Sequence, residues 1–311
     1  MQDVSRGDYP GKSQSVMLPL IDLDSKDDNC IYSTLLFVIS QCEKFNIVTP
    51  TITFDQPLWL KALEIITAKG LNIVPLLGGF HTLMSFYGSI GSIMEGSGIA
   101  QVFQNVYGEN AVKQMLTGKA VSRAHRAHVL TESALMIILQ QMVIDDDESL
   151  ENDLDEIRSL YKLVVSKPEY EVELEIPAFQ RFDLAITKMK KSLGEQSRTA
   201  KLWLQYLDYA EICRLFIRAA RVGNWELHLS TTGRMLNLFA ATGHVHYAKS
   251  ARMYLQQMRM LPKSHPWLHE RFATDGLFVN RRSDRYWAGL HLDLSIEQIM
   301  MRSLKRRGGL T

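Results

Sequence analysis

The sequence "TPTITFDQPLW" at residues 49–59, followed by "LNIVPLLGGFH" at residues 71–81, decides the fold class. Each stretch begins with β-branched or apolar residues that favour a short strand and ends in residues typical of a turn into a helix. Between them, "LWLKALEIITAKG" predicts a helix that starts near Pro57 and ends at Gly70. This order of strand, helix and strand predicts a parallel α/β layer.

The same alternation extends toward the N-terminus. "SVMLPLIDL" at residues 15–23 predicts a buried strand, and "CIYSTLLFVISQCEKF" at residues 30–45 predicts a helix. Asp27, Asp28 and Asn29 are residue types that cap a helix at its start. We expect residues 1–15 to be a flexible leader and residues 16–82 to form the first part of an α/β core.

Beyond His81 most of the chain has the period of about 3.6 that is typical of helices. We predict a mostly helical insertion over residues 83–280 and a C-terminal loop and core helix over residues 281–311, so that the protein is predominantly helical overall. "KPEYEVELEIP" at residues 167–177 is consistent with either a strand or an extended linker.

The predicted last helix runs from about Asp293 to Arg306. Its inward stripe is expected to consist of Ile296, Ile299, Met300, Ser303 and Leu304. A short strand and a loop are expected just before it, within "GLFVNRRSDRYWAGL".

Composition narrows the classes of function. The formal net charge is +1, so a nucleic-acid site would have to be a local basic patch. The three cysteines form neither a CxxC motif nor a zinc spacing, which favours a reducing compartment. The N-terminus lacks the apolar core of a signal peptide, and apolar runs such as "LMIIL" are too short to span a bilayer. We expect an intracellular protein, nuclear or cytoplasmic, without membrane attachment.

Two candidate site residues, Asp55 and His81, lie at the C-terminal ends of the predicted strands, where open α/β sheets place their sites. Asp55 is either a ligand for a hard cation such as Mg²⁺ or the N-cap of the next helix. His81 follows Gly78 and Gly79, which permit a close approach of the backbone at a site or at a tight structural turn.

Glu297 is the third candidate. It lies at the margin of the predicted apolar stripe, one helical turn after Asp293, and no basic residue follows it at the third or fourth position. Two carboxylates with this spacing repel each other, and a cation would relieve the repulsion. Glu297 is therefore either a metal ligand or an acid near a helix N-terminus.

Two basic clusters are candidate nucleic-acid contacts. Lys119, Arg123 and Arg126 are spaced so that they share one face of a helix, which suits a phosphate backbone or a solvated surface. "RRSDRYWAGL" combines arginines with aromatic residues, which suits phosphate contact and base stacking or a surface network with a buried Trp287. Its arginines are Arg281, Arg282 and Arg285.

Several long blocks resemble a family of uncharacterised, multi-copy animal proteins that are similar to mobile-element products. The blocks are "TFDQPLW", "LGGFHTLMSFYGSIGSIMEGSG", "GKAVSRAHRAH", "GHVHYAKSARMYL", "HPWL" and "RRSDRYWAGLHLDLSIEQIMMRSLKRRGGLT". The resemblance extends from about residue 16 to the end of the sequence.

The layout is also similar to RNase H-like DDE transposases with a helical insertion, such as the hAT and P-element types. That resemblance implies a partial RNase H-like core, with Asp55 as the second catalytic Asp and residues 78–81 as the (C/D)xxH step. It also implies Glu297 as the catalytic Glu, and Mg²⁺ at Asp55 and Glu297 with His81 as a positioning group.

Two departures from that layout predict lost activity. Gly78 stands where Cys or Asp is expected, and a first-strand Asp is missing, for which Asp22 and Asp24 are candidate replacements without further support. Both ends of the sequence suggest a truncated product.

We therefore expect a transposon-derived protein without catalytic activity, whose residual activity, if present, would be Mg²⁺-dependent cleavage of nucleic acid such as DNA. The rival hypothesis is a non-enzymatic interaction or nucleic-acid-binding protein with an unknown protein partner. A third is a chain without a selected function.

Overall fold

The computed structural model describes residues 11–14, 21, 23–166 and 176–297. Its helices are α1 (Asp28–Glu43), α2 (Gln56–Lys69), α3 (Gly79–Ile93), α4 (Ile99–Gln104), α5 (Glu109–Leu116), α6 (Val121–Asp146), α7 (Leu150–Ser166), α8 (Pro177–Gln196), α9 (Arg198–Val222), α10 (Trp225–Ala241), α11 (Val245–Ser264), α12 (Pro266–Asp275) and α13 (Leu292–Ser295). Its strands are β1 (Thr51–Phe54), β2 (Val74–Leu77), β3 (Val279–Arg281) and β4 (Gly289–His291).

The predicted parallel pair is present. β1 and β2 run parallel, with Thr51 opposite Val74 and Phe54 opposite Leu77. β2 is buried along its whole length, which explains its apolar sequence. The connection between the strands is α2, and its last turn closes on Gly70 in the left-handed conformation with φ of 62°, as predicted.

The start of α1 also follows the prediction, since the side chain of Asp27 accepts a hydrogen bond from the Asn29 N–H. The predicted strand over residues 15–23 lies almost wholly outside the described residues, as does the open choice at residues 167–175. In the part that is described, the parallel sheet has two strands, so the fuller RNase H-like core stays a prediction.

A second sheet forms where the sequence predicted one strand and a loop. β3 and β4 pair antiparallel, with Val279 opposite His291 and Arg281 opposite Gly289. Gly289 permits this because a side chain there would overlap the backbone carbonyl of Ala220 in α9.

The described chain divides into two compact units. The first comprises residues 90–214, with the gap at 167–175, and residues 285–287. It contains helices only, and we call it the helical unit. The second comprises residues 11–89, 215–284 and 288–297, contains all four strands, and is called the mixed unit. These boundaries cut through the predicted insertion, because residues 215–280 cluster with the parallel strands.

Each unit has its own apolar core. In the mixed unit Trp59 of α2 is fully buried and donates a hydrogen bond from Nε1 to the Pro75 carbonyl of β2. Around it pack buried residues of α11, α12 and β3, among them Tyr254, Phe272 and Val279. The core of the helical unit is built by α6, α7, α8 and α9, from Leu139, Val143, Leu150, Leu154, Phe182, Ile186 and Leu207.

Among the described helices, α6 is long and apolar enough to cross a membrane by length and composition. Core helices of globular proteins pass the same test, so a single such helix is a weak indication. The sequence-based expectation considered only uninterrupted apolar runs, and these are too short to cross a membrane. In α6 polar residues are interspersed among apolar ones, and the helix as a whole is long and apolar enough.

Candidate functional site at the ends of the parallel strands

The site lies where β1 and β2 end side by side. The Gly78 N–H donates a hydrogen bond of 2.7 Å to the Phe54 carbonyl, which extends the pairing by one residue beyond the strands. Asp55 follows β1 and caps α2, while Gly78 follows β2 and Gly79 opens α3. Because the strands are parallel, the first turns of both helices emerge at the same edge of the sheet.

Asp55 is the N-cap of α2. Its side chain accepts a hydrogen bond of 3.3 Å from the Leu58 N–H, and the residue is exposed. One carboxylate oxygen satisfies the helix end, as the capping alternative requires. The exposed carboxylate also remains accessible to a cation, so both interpretations of Asp55 stand.

His81 pairs with Asp293, a residue that follows β4. His81 Nδ1 lies 3.0 Å from Asp293 Oδ2, and the N–H groups of Phe80 and His81 donate to the same carboxylate at 3.0 and 3.1 Å. The carboxylate therefore caps α3 and orients the imidazole at the same time.

The pKa values of His81 and Asp293 both shift in the direction that favours the charged pair. The hydrogen bond to Asp293 raises the pKa of His81 against the opposing effect of burial, and the charges of Asp293, Asp55 and Glu297 raise it further. Burial favours the protonated form of Asp293, but the hydrogen bonds from His81 and Phe80 hold its pKa below the usual value.

The two glycines of the "GGFH" step have a specific steric role. A side chain on Gly78 would overlap the Asp293 carboxylate, and one on Gly79 would overlap the ring of His291. The close approach that the glycines permit is thus an approach of β4 and the following turn to the start of α3. The carboxylate of Asp293 occupies the space that a side chain at position 78 would require.

Glu297 is exposed, in the last described turn. The prediction that Ile296 faces inward is wrong, because Ile296 is 45% exposed. The buried residue of this segment is Asp293, which is 5% exposed. The hydrogen bonds to α3 draw the Asp293 side chain inward, so Asp293 and not Ile296 faces the core. The remaining residues of the stripe lie outside the described residues.

Sequence reasoning missed two residues of this site. Asp293 was considered only as a like charge beside Glu297, because its partner His81 is 212 positions away. Tyr247 in α11 is the other: burial raises the pKa of its hydroxyl, and the charges of Asp55 and Asp293 raise it further. Tyr247 lies in the block "GHVHYAKSARMYL", which was quoted for the family resemblance but to which no chemical role was assigned.

The basic candidates divide into exposed and buried residues. Arg281 is 5% exposed and its Nη2 donates to the carbonyls of Val222 and Asp275, so it ties the end of α9 to the end of α12. Arg282 and Arg285 are exposed, the former in the mixed unit and the latter in the helical unit. The buried position of Arg281 removes it from any surface available to nucleic acid.

The stripe of Lys119, Arg123 and Arg126 differs from the prediction in one respect. All three residues are exposed, but α6 begins at Val121, so Lys119 lies in the turn before it. Gly118, with φ of 77°, forms that turn after α5. Arg123 and Arg126 remain on one helical face.

The metal prediction depends on the carboxylates. Across the described ranges, no group of three or more His, Cys, Asp or Glu side chains is arranged to hold a metal ion. Mg²⁺ usually takes only one or two protein carboxylates and completes its shell with water and substrate phosphates. Two carboxylates, the number that Asp55 and Glu297 would supply, meet that smaller requirement for one ion, whereas a two-ion site requires more.

The fold and the site define a mostly helical protein with a His–Asp pair at the edge of a small parallel sheet. The family model "Domain of unknown function (DUF8702)" matches residues 1–311, and the chain belongs to this family. Comparison with the curated proteins and with the solved structures found no match.

Proposed function

We propose that the chain is an intracellular, transposon-derived protein of the RNase H-like DDE type that has lost strand-transfer activity. In this proposal the edge formed by Asp55, His81, Asp293 and Glu297 is a relic phosphoryl-transfer site that retains affinity for one divalent cation. The supporting observation is the geometry of the edge, where Asp55 follows β1 and His81 lies in the first turn of α3. Asp293, which is hydrogen-bonded to His81, precedes Glu297 by four residues.

Each residue has a defined role in the proposed site. The exposed carboxylates of Asp55 and Glu297 would hold Mg²⁺, which would neutralise charge on a bound phosphate. His81, held by Asp293, is oriented to donate a hydrogen bond to an anionic ligand, because its raised pKa favours the protonated ring. Tyr247, which keeps its proton, supplies a second donor near Asp55.

Loss of strand transfer follows from the ligand set. Two-metal phosphoryl transfer holds two ions about 4 Å apart with several convergent carboxylates. Here Asp293, the third acid of the edge, already accepts hydrogen bonds from His81 and two backbone N–H groups. We expect neither strand transfer nor efficient cleavage of DNA.

Iron-directed backbone cleavage tests the cation site without requiring activity. Fe²⁺ bound in place of Mg²⁺, with ascorbate and peroxide, cuts the polypeptide near the ion, and mass spectrometry locates the cuts. We expect cuts beside Asp55 and His81 that excess Mg²⁺ suppresses. Asp55→Asn should abolish them, whereas Glu64→Gln, an exposed acid on the same helix, should not. Cuts that are absent, or that survive Asp55→Asn, would refute the proposed site.

The alternative function is non-enzymatic binding of nucleic acid by the helical unit. The observation that favours it is the exposure of Lys119, Arg123 and Arg126 at the start of α6. Neutralising phosphates releases counterions, so affinity for a DNA duplex should fall steeply as salt rises. Fluorescence anisotropy should show that Arg123→Gln with Arg126→Gln weakens binding and flattens this salt dependence, whereas Arg158→Gln on α7 leaves both unchanged.

A further inference from the structure

A small cavity lies inside the mixed unit, directly behind the site edge. Its walls include Thr53 of β1, Leu76 of β2, His228 of α10, Tyr254 of α11 and His291 of β4. About 10 Å³ is open to the centre of a water-sized sphere. That is close to the smallest space that holds one water molecule.

Three of the residues that line the cavity carry a buried polar atom without a hydrogen-bond partner among the described protein atoms. These atoms are Thr53 Oγ1, His228 Nδ1 and His291 Nε2. His228 is 4% and His291 6% exposed, so neither ring exchanges hydrogen bonds freely with solvent. Buried polar groups without partners are rare, because their desolvation is not repaid by a new hydrogen bond.

We propose that this cavity holds one ordered water molecule that bridges Thr53, His228 and His291. Three partners is the usual number for an internal water. A structural metal ion fits less well, since the described residues supply only two imidazoles here and no third strong ligand.

The hydrogen-bond roles are mutually consistent. Tyr254 Oη lies 3.3 Å from His228 Nε2, and as a neutral phenol it donates there. His228 then carries its proton on Nδ1 and donates to the water, as does the Thr53 hydroxyl. The water donates to His291 Nε2, which makes His291 the Nδ1-protonated tautomer. Both rings are neutral, because burial lowers the pKa of His228 to about 3 and that of His291 to about 4.

The water would fix the backbone that carries the site acids. Thr53 lies two residues before Asp55, and His291 lies two residues before Asp293. The ring of His291 also packs against the backbone of Gly79, at the start of α3. The bridged water thus joins β1, β4 and α10 immediately behind Asp55, His81 and Asp293, whether or not the site binds a cation.

A high-resolution crystal structure of the full chain tests the proposal directly. We expect one peak of water-like density within hydrogen-bond distance of all three atoms, without anomalous signal. A dry cavity, a side-chain rearrangement that pairs the three atoms with one another, or an anomalous peak from a metal would each overturn the proposal.

Solution measurements on two matched variants provide an independent test. Thr53→Val removes one partner with little change in shape, and Thr53→Ser retains the hydroxyl. We expect Thr53→Val, but not Thr53→Ser, to lower the melting temperature and to shorten the lifetime of a slowly exchanging water detected by ²H relaxation dispersion. For the wild-type chain, ¹⁵N shifts should show His228 protonated on Nδ1 with His291 Nε2 unprotonated; the opposite pair of tautomers, or no long-lived water, would refute the bridge.

Discussion

The helical unit and the mixed unit each bury a histidine beside a tyrosine hydroxyl, but the mixed unit also places that ring next to a second buried histidine. In the helical unit His128 Nδ1 lies 2.8 Å from the Tyr206 hydroxyl, and the ring packs edge-on against Phe103. In the mixed unit His228 and His291 both contact Phe216 and both line the cavity behind the site. One unit uses a histidine as a paired core residue, whereas the other gathers polar groups around the ends of two strands.

This difference shows where in a fold the polar groups that require hydrogen-bond partners collect. The start of each helix leaves N–H groups that require acceptors, and a parallel pair of strands brings two such starts to one edge. The mixed unit meets the requirement with Asp55 and Asp293, and the latter also binds His81. The described part of the helical unit has no comparable convergence, so its buried acid, Asp153, pairs simply with Arg181.

The largest effect is expected from Asp293→Ala. The change leaves the N–H groups of Phe80 and His81 without an acceptor and the raised-pKa imidazole without its partner. Each buried N–H group left without an acceptor typically costs about 1–3 kcal/mol of unfolding free energy, and two such groups lose their acceptor here. Urea denaturation measures the loss.

Asp55→Ala is the matched control, because it removes an exposed N-cap whose loss typically costs about 1 kcal/mol. Equal losses for Asp293→Ala and Asp55→Ala would show that Asp293 is no more than a second helix cap.

Acid should destabilise both units. Burial lowers the pKa of His128 and His228 to about 3 and that of His291 to about 4, so each ring takes up its proton only when the chain unfolds. Unfolding free energy should therefore fall below pH 6.5, by up to about 1.4 kcal/mol per pH unit for each buried ring, until the folded pKa is reached.

His81 has the opposite sign. Its raised pKa gives stability that is complete below pH 6.5 and is lost as the pH rises through the folded pKa, so it does not contribute to the acid slope. Denaturant titrations between pH 6.5 and 5 measure the combined effect of these histidines on the unfolding free energy. Uptake of fewer than one proton on unfolding in that range would contradict the neutral buried histidines.

A smaller effect is expected from Gly79→Ala. The added methyl group would overlap the His291 ring, and overpacking of this kind typically costs about 1–3 kcal/mol. Gly194→Ala in α8 of the helical unit is the control, since its methyl group would meet only Leu204 Cδ1 at 3.7 Å.

Replacing Gly194, which lies inside a helix, with alanine should stabilise the chain by about 0.5–1 kcal/mol. Thermal unfolding of both variants tests whether Gly79→Ala lowers and Gly194→Ala raises the melting temperature. A neutral Gly79→Ala would mean that β4 is not held against the start of α3.

Local chemistry in the sequence predicted the parallel pair and the helix caps. Asp27, Asp55 and Gly70 act within four residues of their partners, so propensity and capping rules were sufficient to place them. The exposure of Ile296 was not predictable in this way. The hydrogen bonds of Asp293 to α3 determine how that segment is turned, and those partners lie more than 200 positions away.

Arg281 illustrates the same limit. Its position beside two more arginines and an aromatic pair suggested a surface for phosphates, but the antiparallel pairing of β3 and β4 places it inside the mixed unit. Its guanidinium donates hydrogen bonds to carbonyls at the ends of two helices. The local sequence does not distinguish this structural role from phosphate binding.

The sequence by itself determined the unit of β1, α2 and β2 and placed Asp55 and His81 at the ends of its two parallel strands. Those outcomes depend on contacts between near neighbours. Only the tertiary structure decided that Asp293 would orient His81 and that two histidines would share a cavity behind the same edge. These features arise from packing between elements far apart in the chain, where the free energy of burying polar groups depends on which partners the fold brings within reach.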